Sequence, residues 1–275
     1  MSLAPLSPLP SLPRLHARNR DFVWRDSPAA GASLTAEQLA QFDRDGFLKL
    51  EGVFTPEELA RVTAEIDPLE AEQDRMLREQ GQSRLSSPDA ITFTVHLVKR
   101  SPVLRAFAAH AALKALCRDL IGDDVRLYWD QSVYKKSGLP QEFPWHQDNG
   151  YTFTEPQQYL TCWIPLADVD EENGCPWIAP GLHRLGTLEH WWTTLGLRCL
   201  EDAPDAVCVP AKAGDVIVFS SLSPHRTGPN LRQGSVRKAY ILQYAPDGAV
   251  AYPPGREAVL QSDPDRQFLV LEGGR

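Results

Sequence analysis

His146-Gln147-Asp148 sets an imidazole and a carboxylate two residues apart, within Pro144-Trp145-His146-Gln147-Asp148-Asn149-Gly150-Tyr151. In an extended chain residues i and i+2 project to the same side, so both groups would face one point. One imidazole and one carboxylate are two of the three protein ligands of the 2-His-1-carboxylate facial triad of non-haem Fe(II) sites. The third must come from a distant histidine, and Ser223-Pro224-His225-Arg226-Thr227-Gly228-Pro229-Asn230 offers His225. Seven histidines among 36 acidic residues produce roughly one His-x-Asp/Glu by chance. The weight therefore falls on context: Trp145 and Tyr151 are large apolar walls, and Asn149-Gly150 is a turn signal. On its own, His225 reads equally as a ligand and as a surface histidine beside proline.

Three protein ligands on one face of Fe(II) leave three positions for a chelating co-substrate and dioxygen. A 2-oxoglutarate co-substrate needs a cation at its far carboxylate, best a forked arginine. Arg237 begins the strand-like run Arg237-Lys238-Ala239-Tyr240-Ile241-Leu242-Gln243-Tyr244. Pointing inward beside Ala239 and Ile241 it would be buried and would require an anion; pointing outward it would be an ordinary strand-end arginine. Arg232 lies in an exposed-turn context, and Arg226 and Lys238 read as solvated. His16 falls in an N-terminal arm, His96 and His110 at the helical part, and His183 and His190 in loop or packing positions.

The elements that must position these groups are legible in outline. Thr35-Ala36-Glu37-Gln38 is a capping box that opens a helix stopped by Gly46. Phe47 to Leu50 is a short strand. Thr55-Pro56-Glu57-Glu58 opens a second helix, which Pro68 should end or kink. The charged stretch from Glu70 to Glu79 reads as a solvated helix face, and Ser101-Pro102 opens a helical region running to Gly122. Strands follow. Alternation places Val125, Leu127, Trp129, Gln131 and Val133 on one face, with Gln131 either bonding a neighbour or pointing an amide into a cavity. Tyr159–Leu166, Ala206–Val209, Asp215–Ser220 and Arg237–Tyr244 are further strands between Pro- and Gly-rich turns. Helices first and strands later predict an α+β, mainly β protein whose β part is a sandwich or barrel.

At 275 residues with 43% apolar content the chain can bury a sizeable core. The organisation expected is a Pro-rich arm over residues 1–34 and a domain over 35–275; prolines at positions 5, 8, 10 and 13 break any helix in the arm. A net charge of −8 argues against a nucleic-acid or anionic-membrane partner, and no apolar run reaches spanning length. Cys117, Cys162, Cys175, Cys199 and Cys208 are an odd set with no C-x-x-C, which fits reduced thiols in a cytoplasmic protein.

His146-Gln147-Asp148, then Asn173-Gly174-Cys175-Pro176-Trp177-Ile178-Ala179-Pro180-Gly181-Leu182-His183, then His225-x-Thr227-Gly228-x-Asn230 and Arg237, resemble the phytanoyl-CoA dioxygenase family of Fe(II)/2-oxoglutarate-dependent oxygenases. Each motif alone is unspecific; the set in this order, over roughly Thr35 to Pro246, is not. The resemblance implies a double-stranded β-helix, a jelly-roll or cupin-like barrel with supporting N-terminal helices. It implies His146, Asp148 and His225 as iron ligands, and Arg237 with the Thr227 hydroxyl at the distal carboxylate of 2-oxoglutarate. It also implies Gln131 and Trp163 facing the co-substrate, and His183 as a structural residue. The activity implied is oxidation of a small organic metabolite with release of succinate and carbon dioxide. Asp148 favours hydroxylation, or desaturation and related oxidation, over halogenation, because related halogenases lack the carboxylate ligand. Trp145, Tyr151, Trp163, Trp191 and Trp192 are either an aromatic substrate wall or core, and no basic cluster compels a CoA thioester. A cupin-like metalloenzyme without 2-oxoglutarate and a non-catalytic barrel binding module remain alternatives; Arg237 and Thr227 count against the first, the complete ligand set against the second.

Overall fold

Two threonines start the first two helices by the same device. Thr35 caps α1 (Ala36–Asp45) and Thr55 caps α2 (Pro56–Gln80); each hydroxyl accepts from the backbone three residues on, and that residue's side chain reaches back to the cap N–H. Gly46 ends α1 in the left-handed region, at φ +80°. The computed structural model describes residues 13–27, 31, 33–81, 83 and 85–275. The expected arm residues 1–12, 28–30 and 32 lie outside them.

Pro68 does not end α2, which runs through it to Gln80. The missing N–H costs one bond, to the carbonyl four residues back, and burial of Val62, Ile66 and Leu77 holds the helix on both sides of it. Nor is the acidic stretch after Pro68 wholly solvated. Glu70 is buried and accepts from the Thr92 hydroxyl at 2.7 Å, while Asp74 pairs with Lys136 at 2.7 Å. The third helical region breaks into α3 (Pro102–Ala108) and α4 (Ala111–Leu120), because the His110 ring accepts from the Ala112 N–H and caps a new start.

The β part is built on two larger antiparallel sheets, beside which Phe153–Glu155, Val250–Tyr252 and Val259–Leu260 form a three-stranded sheet and Trp191–Trp192 pairs with Leu197–Arg198. The larger runs Phe47–Leu50, Val216–Ser220, Leu160–Pro165, Val236–Pro246, Val125–Lys136, Leu269–Leu271, with Ile91–Val95 also pairing to Val125–Lys136. The smaller runs Val207–Cys208, Pro176–Ile178, His225–Thr227, Phe143–His146. Alternation divides the larger sheet between two cores. Leu160, Cys162, Ile164, Tyr240, Leu242 and Tyr244 face the helices; Trp163, Ile217, Phe219, Ala239 and Ile241 face the smaller sheet. The architecture is thus a mainly β, double-stranded β-helix with helices packed against the outer face of its larger sheet, as the sequence predicts.

The face assigned to Val125–Val133 needs correction. The pairing with Val236–Pro246 slips at Tyr128, since Gln243 lies opposite Trp129 while Tyr244 lies opposite Leu127. One extra residue in a strand reverses its side-chain parity. Val125 and Leu127 therefore join the helix-side core, whereas Gln131, Val133 and Lys135 point into the barrel. The bulge is what turns Gln131 towards the cavity.

Residues 13–27 lie along the body. Trp24 is buried in the helix-side core, and the Asn19 amide donates to the carbonyls of Leu185 and Thr187.

Gly46 joins helix to sheet at a crowded point: a Cβ there would lie 2.4 Å from the His183 ring and 2.6 Å from the Ser223 hydroxyl. Left-handed strain and overpacking add, so Gly46→Ala should destabilise the fold by ~2–4 kcal/mol in denaturant titrations. A change within about 0.5 kcal/mol would mean the junction relaxes freely.

Candidate metal centre

His225–Thr227 pairs antiparallel with Phe143–His146, and the register sets His225 directly opposite His146. Their ring centroids are 4.1 Å apart. His146 ends its strand, Gln147 stays extended (φ −108°, ψ 145°), and Asp148 opens a short turn. That extended residue returns Asp148 to the side of His146. The Asp148 Oδ1 atom lies 4.0 Å from His146 Nε2 and 3.9 Å from His225 Nε2. One ligand atom from each of the three residues falls within 4.8 Å of the others, a group that could hold a metal ion.

The surroundings aim these atoms. His146 Nδ1 lies 2.8 Å from the Pro144 carbonyl and His225 Nδ1 lies 3.1 Å from the Ser223 carbonyl. A carbonyl can only accept, so each Nδ1 carries the proton and each Nε2 turns a lone pair inward. Burial, then the neighbouring His225, pushes the His146 imidazole well below the usual histidine range, which keeps it neutral as a ligand must be. Asp148 Oδ2 accepts from the Thr161 hydroxyl at 2.5 Å, leaving Oδ1 facing the two Nε2 atoms.

Between His146 and Asp148, Gln147 points the other way and is fully buried. Its amide donates to the carbonyls of Gly186 and Leu222 and accepts from the Leu188 N–H. His190, expected only as a packing residue, accepts the Gln147 backbone N–H on Nε2 at 3.0 Å. Gly150 lets it approach, since a Cβ there would meet the His190 ring at 2.2 Å. Thr161, Gln147 and His190 hold the His146–Asp148 segment, and sequence reasoning missed all three. The Gln147 position between two candidate ligands was the one available signal; Thr161 and His190 arrive through tertiary packing.

Beside the three candidate ligands lies an inner chamber lined by Gln131, Val133, Trp163, Phe219, Thr227, Arg237 and Ile241, among others. Arg237 points inward and is 1% exposed. Its Nη1 donates to the Val133 carbonyl at 3.2 Å, while Nε and Nη2 have no hydrogen-bond partner. The guanidinium carbon sits 5.4 Å from the centroid of the Trp163 ring. Burial pulls its pKa down to about 9, which still leaves it charged at neutral pH. A buried cation with two idle donors needs an anion. The Gln131 amide oxygen accepts from the Trp129 indole at 3.0 Å. The structure thus gathers His146, Asp148, His225, Arg237, Thr227, Gln131 and Trp163 around one cavity.

Next to it opens an outer chamber of about 300 Å³ whose walls include Phe93, Tyr128, Trp129, Phe143, Tyr151, Tyr159 and Trp192. Of the aromatics noted in the sequence, Tyr151 and Trp192 line this chamber and Trp163 the inner one. Trp145 packs instead with Leu188 and Cys199, and Trp191 is exposed. Two expectations of solvated cations fail. Arg226 pairs with Glu142 and lies over the rings of Trp145 and Trp177, and Lys238 bonds both oxygens of Asp67 over the Tyr134 ring. Arg232 is held outside by Asp170 and Glu172.

The model of the phytanoyl-CoA dioxygenase family matches residues 42–239. An ectoine dioxygenase of Bordetella bronchiseptica is 27% identical over 242 residues, covering 78% of this chain and 76% of that protein. The rat phytanoyl-CoA dioxygenase domain-containing protein 1 is 27% identical over 275 residues, covering 82% and 94%. Among solved structures, the apoform of EctD from S. alaskensis superposes with a TM-score of 0.66 at 25% identity, covering 90% of this chain and 88% of that one. The epimerase SnoN, in complex with Fe3+, alpha ketoglutarate and nogalamycin RO, reaches 0.66 at 23% identity, covering 84% and 96%, and shares the fold.

Thr161→Val removes the hydroxyl that fixes the outer oxygen of Asp148 while keeping its shape. Fe(II) affinity, measured by anaerobic titration, should fall ~10-fold or more with the thermal midpoint little changed. Equal affinity in the two proteins would show that Asp148 is oriented without Thr161.

Proposed function

The chain belongs to the phytanoyl-CoA dioxygenase family and is an Fe(II)/2-oxoglutarate-dependent oxygenase; we propose that His146, Asp148 and His225 hold its iron and that Arg237, with Thr227, receives the distal carboxylate of 2-oxoglutarate. The observation that carries this assignment is the buried Arg237 guanidinium, whose free Nε and Nη2 donors belong to the cavity that the three metal-ligand candidates border.

Bound iron with 2-oxoglutarate supplies the oxidising chemistry, consuming dioxygen and releasing succinate and carbon dioxide. The protein supplies position and shielding. Arg237 presents a rigid fork in a dry, low-dielectric chamber, where a charge-assisted contact to a carboxylate is strongest. Val133, Trp163, Phe219 and Ile241 keep water from that contact. Thr161 and the two backbone carbonyls keep one oxygen and two Nε2 atoms facing the metal position.

The substrate is a small molecule held in the outer chamber. Seven aromatic rings and the amides of Gln131 and Gln243 form its wall, and Asp148 is the only ionisable acid or base besides His146 and the tyrosines among the described lining residues. Such a wall fits a neutral, ring-bearing compound, gripped by stacking and oriented by amide hydrogen bonds. Some relatives are named ectoine dioxygenases; ectoine carries a carboxylate, and the described wall offers it no cation.

Anaerobic protein with Fe(II) should develop a metal-to-ligand charge-transfer band on adding 2-oxoglutarate, and His146→Ala should abolish it. Arg237→Ala should raise the 2-oxoglutarate KM by ~100-fold with a much smaller effect on kcat at saturation. Unaltered co-substrate dependence in that variant would remove Arg237 from the site. Succinate release should be stimulated by neutral cyclic compounds and not by ectoine; the reverse preference would refute the neutral-substrate reading.

A further inference from the structure

The strand Val236–Pro246 turns Arg237, Ala239, Ile241 and Gln243 onto its inner face. Arg237 and Ile241 line the inner chamber. Gln243 lines the outer one, which His146 and Asp148 also border. Gln243 is 6% exposed, and among the described residues its side-chain amide has no hydrogen-bond partner. Strand register sets it between Trp129 on one side and Thr161 on the other. Thr161 in turn holds Asp148, so Gln243 stands one strand away from the carboxylate of the metal centre. Gln131 also lines this chamber, but its amide oxygen is occupied by the Trp129 indole and only its NH2 group is left to face a ligand. Gln243 alone of the two keeps both a donor and an acceptor free.

A buried amide without partners destabilises the ligand-free fold, and a leucine would fill the same place without that cost. The amide therefore marks a point where a ligand is read. Its donor and acceptor lie side by side in one plane. The neutral group that satisfies both at once is a second amide whose N–H and C=O share one edge. An open-chain secondary amide is trans and points the two apart; closure in a small ring forces them together. Trp129, directly opposite Gln243, and Tyr159, on the same face as Thr161, offer flat surfaces for such a ring. We infer that Gln243 is a specificity-determining residue that recognises a neutral cyclic secondary amide, a lactam. Its Oε1 accepts from the ring N–H and its Nε2 donates to the ring carbonyl, which fixes the edge of the ring turned away from the metal centre. The inference rests on the reading of the outer chamber as the substrate site and names the chemistry that this site selects.

The test compares two probes of one shape, oxindole and 2-indanone, in which a CH2 group replaces the ring N–H of the lactam. Both are titrated by calorimetry into full-length protein loaded with Fe(II) and 2-oxoglutarate, without oxygen. The charge-transfer band checks that the metal centre of each protein is intact. The wild-type protein should bind oxindole ~10-fold or more tighter than 2-indanone. Gln243→Leu should reduce that preference to within about 2-fold, mainly by weakening oxindole. Gln243→Met takes the place of the leucine variant if that one does not fold. Equal affinities in the wild-type protein, or a preference that survives the substitution, would overturn the inference and leave the outer chamber as the substrate site. If neither probe binds to protein that shows the band, the reading of the outer chamber as a site for neutral rings fails, and the inference with it.

Discussion

The site hangs on one strand register. His225 must lie opposite His146, and a slip of a single residue would turn His225 out of the barrel and Arg226 into it. The smaller sheet has only short strands, so its own ladder bonds cannot fix that register. Contacts from outside do. The Lys135 ammonium grips the carbonyls of Thr227 and Gly228 from the larger sheet, the Ser223 hydroxyl donates to the Gly46 carbonyl, and Arg226 is clamped over two tryptophans. The meeting of His146, Asp148 and His225 is thus a property of how the two sheets are locked together.

Polarity is distributed accordingly. The faces between the sheets are apolar except where a charge has a task, and the buried charged and polar groups fall into two kinds. Gln147, Asn149 and Lys135 satisfy their donors within the protein and hold backbone in place. Arg237 does not, and its idle donors border the cavity. A satisfied buried polar group stabilises one arrangement of the chain; an unsatisfied one destabilises the ligand-free fold and contributes affinity when an anion arrives. Lys135 and Arg237, neighbours across two strands, thus contrast as a satisfied and an unsatisfied buried cation.

Much of this was readable in advance where the physics is local. Capping boxes at Thr35 and Thr55, the glycine stop at position 46 and the alternation of Arg237–Tyr244 depend on residues close in sequence, and each appears as expected. The misreadings share one cause, which is local rules overruled by packing. Pro68 does not end its helix because buried neighbours hold the turns on both sides of it, and Glu70 is buried because Thr92 reaches it from the strand Ile91–Val95. The bulge at Tyr128 left no mark in the pattern of apolar residues, yet it inverts half a strand.

The sequence by itself determined the chemistry available: two imidazoles, a carboxylate two residues from one of them, and an arginine in a strand, in an order that marks the family. These are choices of residue type, and residue type is written directly in the chain. Only the tertiary structure decided that His225 rather than another histidine meets His146 and Asp148, that Arg237 turns inward, and that Thr161, His190 and Lys135 bond to Asp148, Gln147 and Thr227. Strand pairing between segments some 80 residues apart is settled by the summed burial of whole sheets, and no local spacing encodes that sum.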